Sequence, residues 1–224
     1  MEFDELKERS KNKFLLRGAS GSGKTYQAVR AALELSINDY NVAYVDTESE
    51  GSSTMVNLIL SDDTEYEKEY VRNIEYYNVS GYEGLLEWCD HEDGLHERFD
   101  VVIIDTLDHK HTYALSRVTD DKKDTGADWN EYSMIYAAEK HMMEKLGKPE
   151  VDVIATLDPN SGKSDKPKGA QTNIEGYFSV VMDLDKDDNG WSYVIENYVG
   201  RSDLIGNAVQ GMSPSDIAVR EILQ

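Results

Sequence analysis

Cysteine is nearly absent from this chain of 224 residues, which contains Cys89 alone. A single thiol excludes a disulfide within the chain and favours a reducing compartment such as the cytoplasm. Long apolar runs are also missing: the longest purely aliphatic stretch is Val101–Ile104, whereas a membrane-spanning helix needs about 20 apolar residues. Residues 1–13 carry both signs of charge and no apolar segment, so no secretory signal is expected. The sequence therefore predicts a cytoplasmic protein without a membrane partner.

Basic residues are scarce as well, with 23 lysines and arginines against 44 aspartates and glutamates and a net charge of -21. A field of this sign repels nucleic acid at low salt. Two explanations stay open, an acidic solvated surface and adaptation to a high-salt cytoplasm in which ions screen the repulsion.

The length of the chain fits one domain, so we predict a single domain over residues 1–224.

The order of apolar patterns predicts an α/β fold with a doubly wound, mostly parallel sheet flanked by helices. Short β-rich runs alternate with stretches of helical spacing, which is typical of parallel sheets. The predicted strands are Lys13–Arg17, Val42–Asp46, Ile74–Val79, Val101–Asp105 and Val151–Thr156, and the predicted helices are Tyr26–Ser36, Tyr82–Arg98 and Trp129–Leu146. Two alternating runs around Asn189-Gly190 predict a C-terminal β-hairpin, and Ser213-Pro214 predicts the start of a last helix.

A complete G-x-x-x-x-G-K-[ST] motif lies between the first predicted strand and the first predicted helix. Glycines let backbone N–H groups approach phosphate closely, and the following helix presents its positive end to the same anion. The lysine is expected to reach the β- and γ-phosphates of ATP, and the threonine hydroxyl to coordinate Mg²⁺. The predicted cofactor-binding residues are Gly18, Ala19, Ser20, Gly21, Ser22, Gly23, Lys24 and Thr25.

Two acidic strand ends supply candidates for the rest of an ATP-hydrolysing site. Asp105 follows four aliphatic residues at the end of a predicted buried strand, where a carboxylate can hold the metal beside the phosphate loop. Glu48 follows the strand Val42–Asp46 and is the candidate for orienting the attacking water. The alternative for Glu48 is an ordinary helix-capping or solvated carboxylate.

The order of these motifs along the chain resembles that of the RecA-like ATPase family, and the resemblance extends over nearly the whole chain. It is strongest to small phage-borne members described as nucleotide-binding or single-strand annealing ATPases. The resemblance rests on the glycine-rich motif, the Asp46-Thr47-Glu48 strand end, the Val101–Asp105 strand and the basic loop that follows the next strand. It implies a catalytic role for Glu48. Where RecA-type recombinases carry a polar Asn-Gln sensor pair, this chain offers only Thr156, so Thr156 is the candidate sensor.

The resemblance also points to two basic sites. The loop after Thr156 contains Lys163, Lys166 and Lys168, in the place where RecA-like proteins carry a loop for single-stranded DNA; an ordinary solvated loop is the alternative. Arg201 follows the last predicted strand, where similar ATPases place a basic residue that reaches a neighbouring subunit's nucleotide, which implies a homo-oligomer. The loop lysines compete for that role, and a plain surface arginine is the other interpretation.

The leading hypothesis is therefore a Mg²⁺-dependent ATPase that acts on single-stranded DNA in recombination, repair or replication. Its ATPase part depends on the residues above, whereas its DNA part depends mostly on analogy. The alternative is a nucleotide-gated module that binds or assembles protein partners with little turnover. A small-molecule phosphotransferase is a third hypothesis, disfavoured because the sequence has no evident arginine-rich lid.

Overall fold

The computed structural model describes residues 11–61, 66–79, 81–91, 95–107, 140–141, 143–146, 151–158, 174–187, 190–199, 201–209 and 211–224. Within these residues the strands are β1 Lys13–Arg17, β2 Val42–Asp46, β3 Ile74–Asn78, β4 Val101–Asp105, β5 Asp152–Leu157, β6 Val180–Asp187 and β7 Gly190–Tyr198. The helices are α1 Lys24–Ile37, α2 Gly51–Leu60, α3 Gly81–His91, α4 Leu95–Arg98 and α5 Pro214–Ile222. Residues 140–141 and 143–146 are also helical. Short 3-10 turns occupy Lys68–Val71, Ile174–Tyr177 and Ser202–Leu204.

The seven strands form one sheet in the order β3-β2-β4-β5-β1-β6-β7. The first six are parallel to their neighbours, and β7 returns antiparallel to β6. This confirms the predicted α/β class, the mostly parallel sheet and the C-terminal hairpin. In parallel strands all carboxyl ends meet at one edge, so the loops after β1, β2, β4 and β5 gather there.

Strand residues alternate between two apolar layers because successive side chains point to opposite faces of a sheet. Phe14 and Leu16 of β1 pack on one face with residues of α1 and α5. Leu15, between them, packs on the other face with α3 and with helical residues near position 143. Each of these three β1 side chains is buried. Burial on both faces explains why β1, β2, β4 and β5 have continuous apolar runs rather than an alternating pattern.

Most predicted elements are present, with shifted ends. The strand predicted to begin at Val151 begins at Asp152. The helix predicted over Tyr82–Arg98 corresponds to α3 and α4, and residues 92–94 between them lie outside the described residues. The helix α2 was not predicted. Most of the helix predicted over Trp129–Leu146 lies outside the described residues. None of the helices that the structure describes is long and apolar enough to cross a membrane.

The helix α5 begins as the sequence predicts. The Ser213 hydroxyl accepts a hydrogen bond from the Asp216 N–H, and the Asp216 carboxylate accepts one from the Ser213 N–H, which completes a capping box. Arg30 of α1 reaches both residues, 3.2 Å from the Ser213 hydroxyl and 3.2 Å from Asp216. These hydrogen bonds connect α5 with α1, the helix that follows the glycine-rich loop.

The single thiol lies in the interior, on α3. Cys89 is 2% exposed, and burial raises its pKa to about 12. Because the thiolate is the reactive form, we expect native protein to resist a thiol reagent such as DTNB at pH 8 and unfolded protein in urea to react at once. The Cys89→Ser variant, which has no thiol, is the control for absorbance that does not come from Cys89. Rapid labelling of the native chain would contradict this packing of α3.

Candidate nucleotide-binding site

The glycine-rich loop joins β1 to α1 and is shaped by contacts that only glycine permits. A Cβ atom at Gly18 would lie 2.3 Å from the Ser22 Oγ and 2.5 Å from the Leu184 carbonyl oxygen of β6. Gly21 and Gly23 have φ angles of 81° and 91°, in the left-handed region that side chains disfavour. Both the spacing and the handedness of the loop therefore depend on these three glycines.

The loop leads directly into the amino end of α1. Gly23 is the N-cap residue and has no side chain to accept hydrogen bonds from the first turn, which also contains no acidic residue. The amino end of a helix carries partial positive charge and unpaired N–H groups, so it favours an anion. Among the described residues, the buried Ser22 Oγ also has no hydrogen-bond partner. Loop and helix together form a cradle suited to phosphate.

The lysine of the motif places its ammonium over this cradle. Lys24 Nζ donates to the carbonyl oxygens of Gly18 at 2.7 Å and Ala19 at 3.1 Å. Both acceptors belong to the loop itself, so the charge lies where the outer phosphates of a nucleotide would be bound.

Asp105 ends β4 directly beneath the loop and is held by hydroxyl groups. Its Oδ1 accepts hydrogen bonds from Thr156 at 2.7 Å and Thr25 at 3.3 Å, and its Oδ2 accepts one from Tyr44 at 2.9 Å. The side chain is 3% exposed. Burial raises the pKa of Asp105, while hydrogen bonds from Thr156, Tyr44 and Thr25 act against that rise by favouring the carboxylate.

Thr25 and Asp105 therefore meet, as expected of a shared metal site. Mg²⁺ prefers hard oxygen ligands and is usually held by one or two protein oxygens together with substrate phosphates. A threonine hydroxyl and an aspartate carboxylate in contact, below a phosphate cradle, match that donor set. The residues present thus fit Mg²⁺ bound with a nucleotide.

Thr156, the candidate sensor, is fully buried at the same strand edge. Besides donating to Asp105, it accepts hydrogen bonds at its carbonyl oxygen from the Thr106 hydroxyl at 3.0 Å and the Leu107 N–H at 2.9 Å. Its hydroxyl contacts the candidate metal ligand directly. Thr156 therefore links β5 to the end of β4.

Glu48 lies in an exposed turn after β2, next to the strand that carries Asp105. The turn is held by Asp46, a fully buried carboxylate whose Oδ1 accepts the N–H groups of Glu48 at 2.9 Å and Ser49 at 2.6 Å. Its Oδ2 accepts the Gly51 N–H at 2.7 Å, at the start of α2. Asp46 thus positions Glu48, and Tyr44 positions Asp105. The sequence motifs predicted neither of these two roles.

Arg201 is not part of this cluster. Arg201 follows β7, whose end at Tyr198 pairs with Val180. Val180 also pairs with Phe14 near the start of β1, so Arg201 lies at the edge opposite the glycine-rich loop. There it forms an ion pair with Asp203 at 3.2 Å. Lys163, Lys166 and Lys168 lie outside the described residues.

The comparisons agree with this architecture. The AAA domain family (AAA_24) matches residues 10–197. The RadB recombinase has a similar structure, with a TM-score of 0.56 and 18% identity over 84% of this chain and 81% of that one. The flagellar accessory protein FlaH from Methanocaldococcus jannaschii gives a TM-score of 0.50 and 18% identity over 88% of this chain and 86% of its own.

A third solved structure, described as an ATPase domain, gives a TM-score of 0.50 and 16% identity over 88% of this chain and 82% of that chain. No curated protein matches the chain significantly. At these identities the structural likeness establishes the fold, and the family match extends over most of the chain. The chain therefore belongs to the AAA domain family and has the fold of RecA-like P-loop ATPases.

Proposed function

We propose that the chain is a Mg²⁺-dependent ATPase that acts on single-stranded DNA in recombination, repair or replication. The observation that carries the ATPase part is the contact of Thr25 with Asp105, 3.3 Å apart beneath the glycine-rich loop. When bound there, Mg²⁺ would neutralise charge on the outer phosphate oxygens. The loop N–H groups, the helix end and Lys24 bind the triphosphate itself.

Water activation is assigned to Glu48. Its turn begins at the end of β2, and β2 lies beside β4, so the side chain starts one strand away from Asp105. Asp46 fixes the turn through three backbone N–H groups, which limits the positions open to the Glu48 carboxylate. A carboxylate near the γ-phosphate can orient a water molecule and accept its proton. Thr156, through Asp105, keeps the metal-binding oxygen in place.

The DNA part of the proposal draws on the fold and the sequence. One structural neighbour is named a recombinase, and the segment predicted as a loop after β5 contains Lys163, Lys166 and Lys168. Against it stands the net charge of -21, which repels nucleic acid at low salt. We further propose a cytoplasmic homo-oligomer related to the small phage-borne single-strand annealing ATPases, with Arg201 or a loop lysine reaching the next subunit's nucleotide.

The deciding experiment is the rate of ATP hydrolysis with and without single-stranded DNA over a wide range of salt concentrations. We expect hydrolysis that requires Mg²⁺, rises when DNA is added and persists at salt concentrations that screen the acidic surface. Hydrolysis that DNA leaves unchanged at every salt concentration would remove the DNA part of the proposal. ATP binding without hydrolysis under all conditions would favour the alternative.

That alternative is a nucleotide-gated module that binds or assembles protein partners. One structural neighbour, FlaH, is a flagellar accessory protein by name, so a chain of this fold is associated with a role other than DNA processing. In such a module ATP would order a protein-binding surface, and turnover would be slow. The comparison of binding with hydrolysis separates the two functions.

The lysine loop has its own test. Replacing Lys163, Lys166 and Lys168 together by glutamine removes three positive charges that could contact phosphates. We expect weaker binding of a single-stranded oligonucleotide and a salt dependence that is less steep by about 0.7 per lost contact in log Kd against log salt. Fluorescence anisotropy at several salt concentrations measures both. If neither quantity changes, the loop does not bind DNA.

A further inference from the structure

An exposed tryptophan lies beside the glycine-rich loop. Trp191, the second residue of β7, is 68% exposed, and a Cβ atom added at Gly23 would lie 3.3 Å from its Nε1. Tyr26, next to Thr25 in the first turn of α1, is 43% exposed, and its ring is parallel to the indole within 1°, with centroids 6.4 Å apart. Lys186 lies with its ammonium 4.9 Å from the indole centroid.

These rings flank the loop on the side away from the metal-binding residues. In the sheet order β2-β4-β5-β1-β6-β7, Asp105 and the Glu48 turn belong to strands on one side of β1, and Trp191 belongs to the hairpin on the other. A polyphosphate bound with Mg²⁺ in this cradle would have its outer phosphates next to Asp105, the candidate metal ligand. The sugar and base of the nucleotide would then extend away from Asp105. On the other side of the loop, the β6–β7 hairpin and the first turn of α1 present exposed aromatic rings, and such a surface is suited to a base.

We propose that Trp191, with Tyr26, forms a stacking platform for the base of the bound nucleotide. The inference rests on the proposed binding of a triphosphate in the glycine-rich loop. Aromatic side chains stack on any nucleobase because every base has a π-face, and the interaction needs no match of hydrogen bonds. The ligand class is therefore a nucleoside triphosphate, bound through its base as well as its phosphates. Because polyphosphate has no base, the contact with Trp191 favours the nucleotide over polyphosphate.

The test compares ATP with inorganic tripolyphosphate, each with Mg²⁺, by calorimetric titration of the full chain. Trp191→Ala is expected to weaken ATP binding roughly tenfold, within the usual range for loss of one stacking partner. Its affinity for tripolyphosphate stays unchanged because that ligand has no base. Trp191→Phe keeps a flat ring and retains most of the ATP affinity. Val194→Ala, on the same strand, is the matched control and changes neither affinity.

Several outcomes would overturn the assignment. Unchanged ATP affinity in Trp191→Ala would do so, as would an equal loss for ATP and tripolyphosphate, which indicates a distorted loop. Loss of single-stranded oligonucleotide binding with ATP affinity unchanged would show that the ring serves DNA instead. In each case the phosphate site of the unaltered protein still binds ATP. If the unaltered protein binds neither ATP nor tripolyphosphate, the proposed function and the platform fail together.

Discussion

Lys24→Ala is expected to abolish ATP binding at ordinary nucleotide concentrations, with an affinity loss of at least about 100-fold. The ammonium lies 2.7 Å from the Gly18 carbonyl oxygen, over the cradle where the outer phosphates would be bound. Removing it deletes charge-assisted hydrogen bonds to the triphosphate, which are worth ~1.5–3 kcal/mol each. The loop and the helix end remain but no longer carry a full positive charge. Titration calorimetry with ATP and Mg²⁺ measures the effect.

Lys68→Ala is the matched control, because it removes the same charge from an exposed position. Lys68 lies in the 3-10 turn that precedes β3, at the amino ends of the parallel strands and away from the loop. Its ATP affinity should equal that of the unaltered chain. Undiminished binding by Lys24→Ala, with circular dichroism showing an intact fold, would place the nucleotide elsewhere.

Glu48→Gln is expected to lower kcat by about 10²–10⁴-fold while leaving the affinity for ATP unchanged. The glutamine keeps the size of the side chain, and Asp46 still holds the turn through backbone N–H groups that the substitution does not alter. What is lost is the negative charge that accepts a proton from the attacking water. Single-turnover hydrolysis together with equilibrium binding separates the two effects.

Glu50→Gln provides the matched control for this substitution. Glu50 is exposed two residues further along, at the N-cap of α2, and its side chain makes no capping hydrogen bond. We expect its kcat to remain close to that of the unaltered chain. A large loss in Glu50→Gln with normal hydrolysis in Glu48→Gln would assign the water-orienting role to Glu50. Equal activity of both variants would leave neither residue in that role.

The strands and the glycine-rich loop could be predicted because their signals are local. The four consecutive β-branched residues of Val101–Ile104 predict a buried strand by themselves, and the glycines of the motif predict the loop by themselves. The helix α2 has no such signal. Its first N–H, at Gly51, donates to Asp46 five residues earlier rather than to its own N-cap side chain. A helix whose first N–H is bound by a carboxylate five residues earlier lacks the N-cap spacing that marks a helix start in the sequence.

The arrangement around Asp105 was predictable only in part. The motif indicated that Thr25 and an acidic strand end should meet, but not that hydroxyls of Tyr44 and Thr156 would share the carboxylate. Those residues belong to β2 and β5, and their contact with Asp105 follows from strand order, which the sequence does not determine. The same holds for Trp191, because the alternation of β7 predicts a strand without indicating what lies beside it.

Arg201 lies at the lower rim of the sheet, where the amino ends of the parallel strands meet, whereas the glycine-rich loop is on the upper rim. The five residues of β1 alone separate the rims by about 16 Å. If this guanidinium serves a nucleotide, that nucleotide belongs to another copy whose upper rim faces this lower one. A two-fold dimer joins identical patches and cannot provide such a contact. Head-to-tail stacking can, and its repetition produces either a closed ring or an open helical filament.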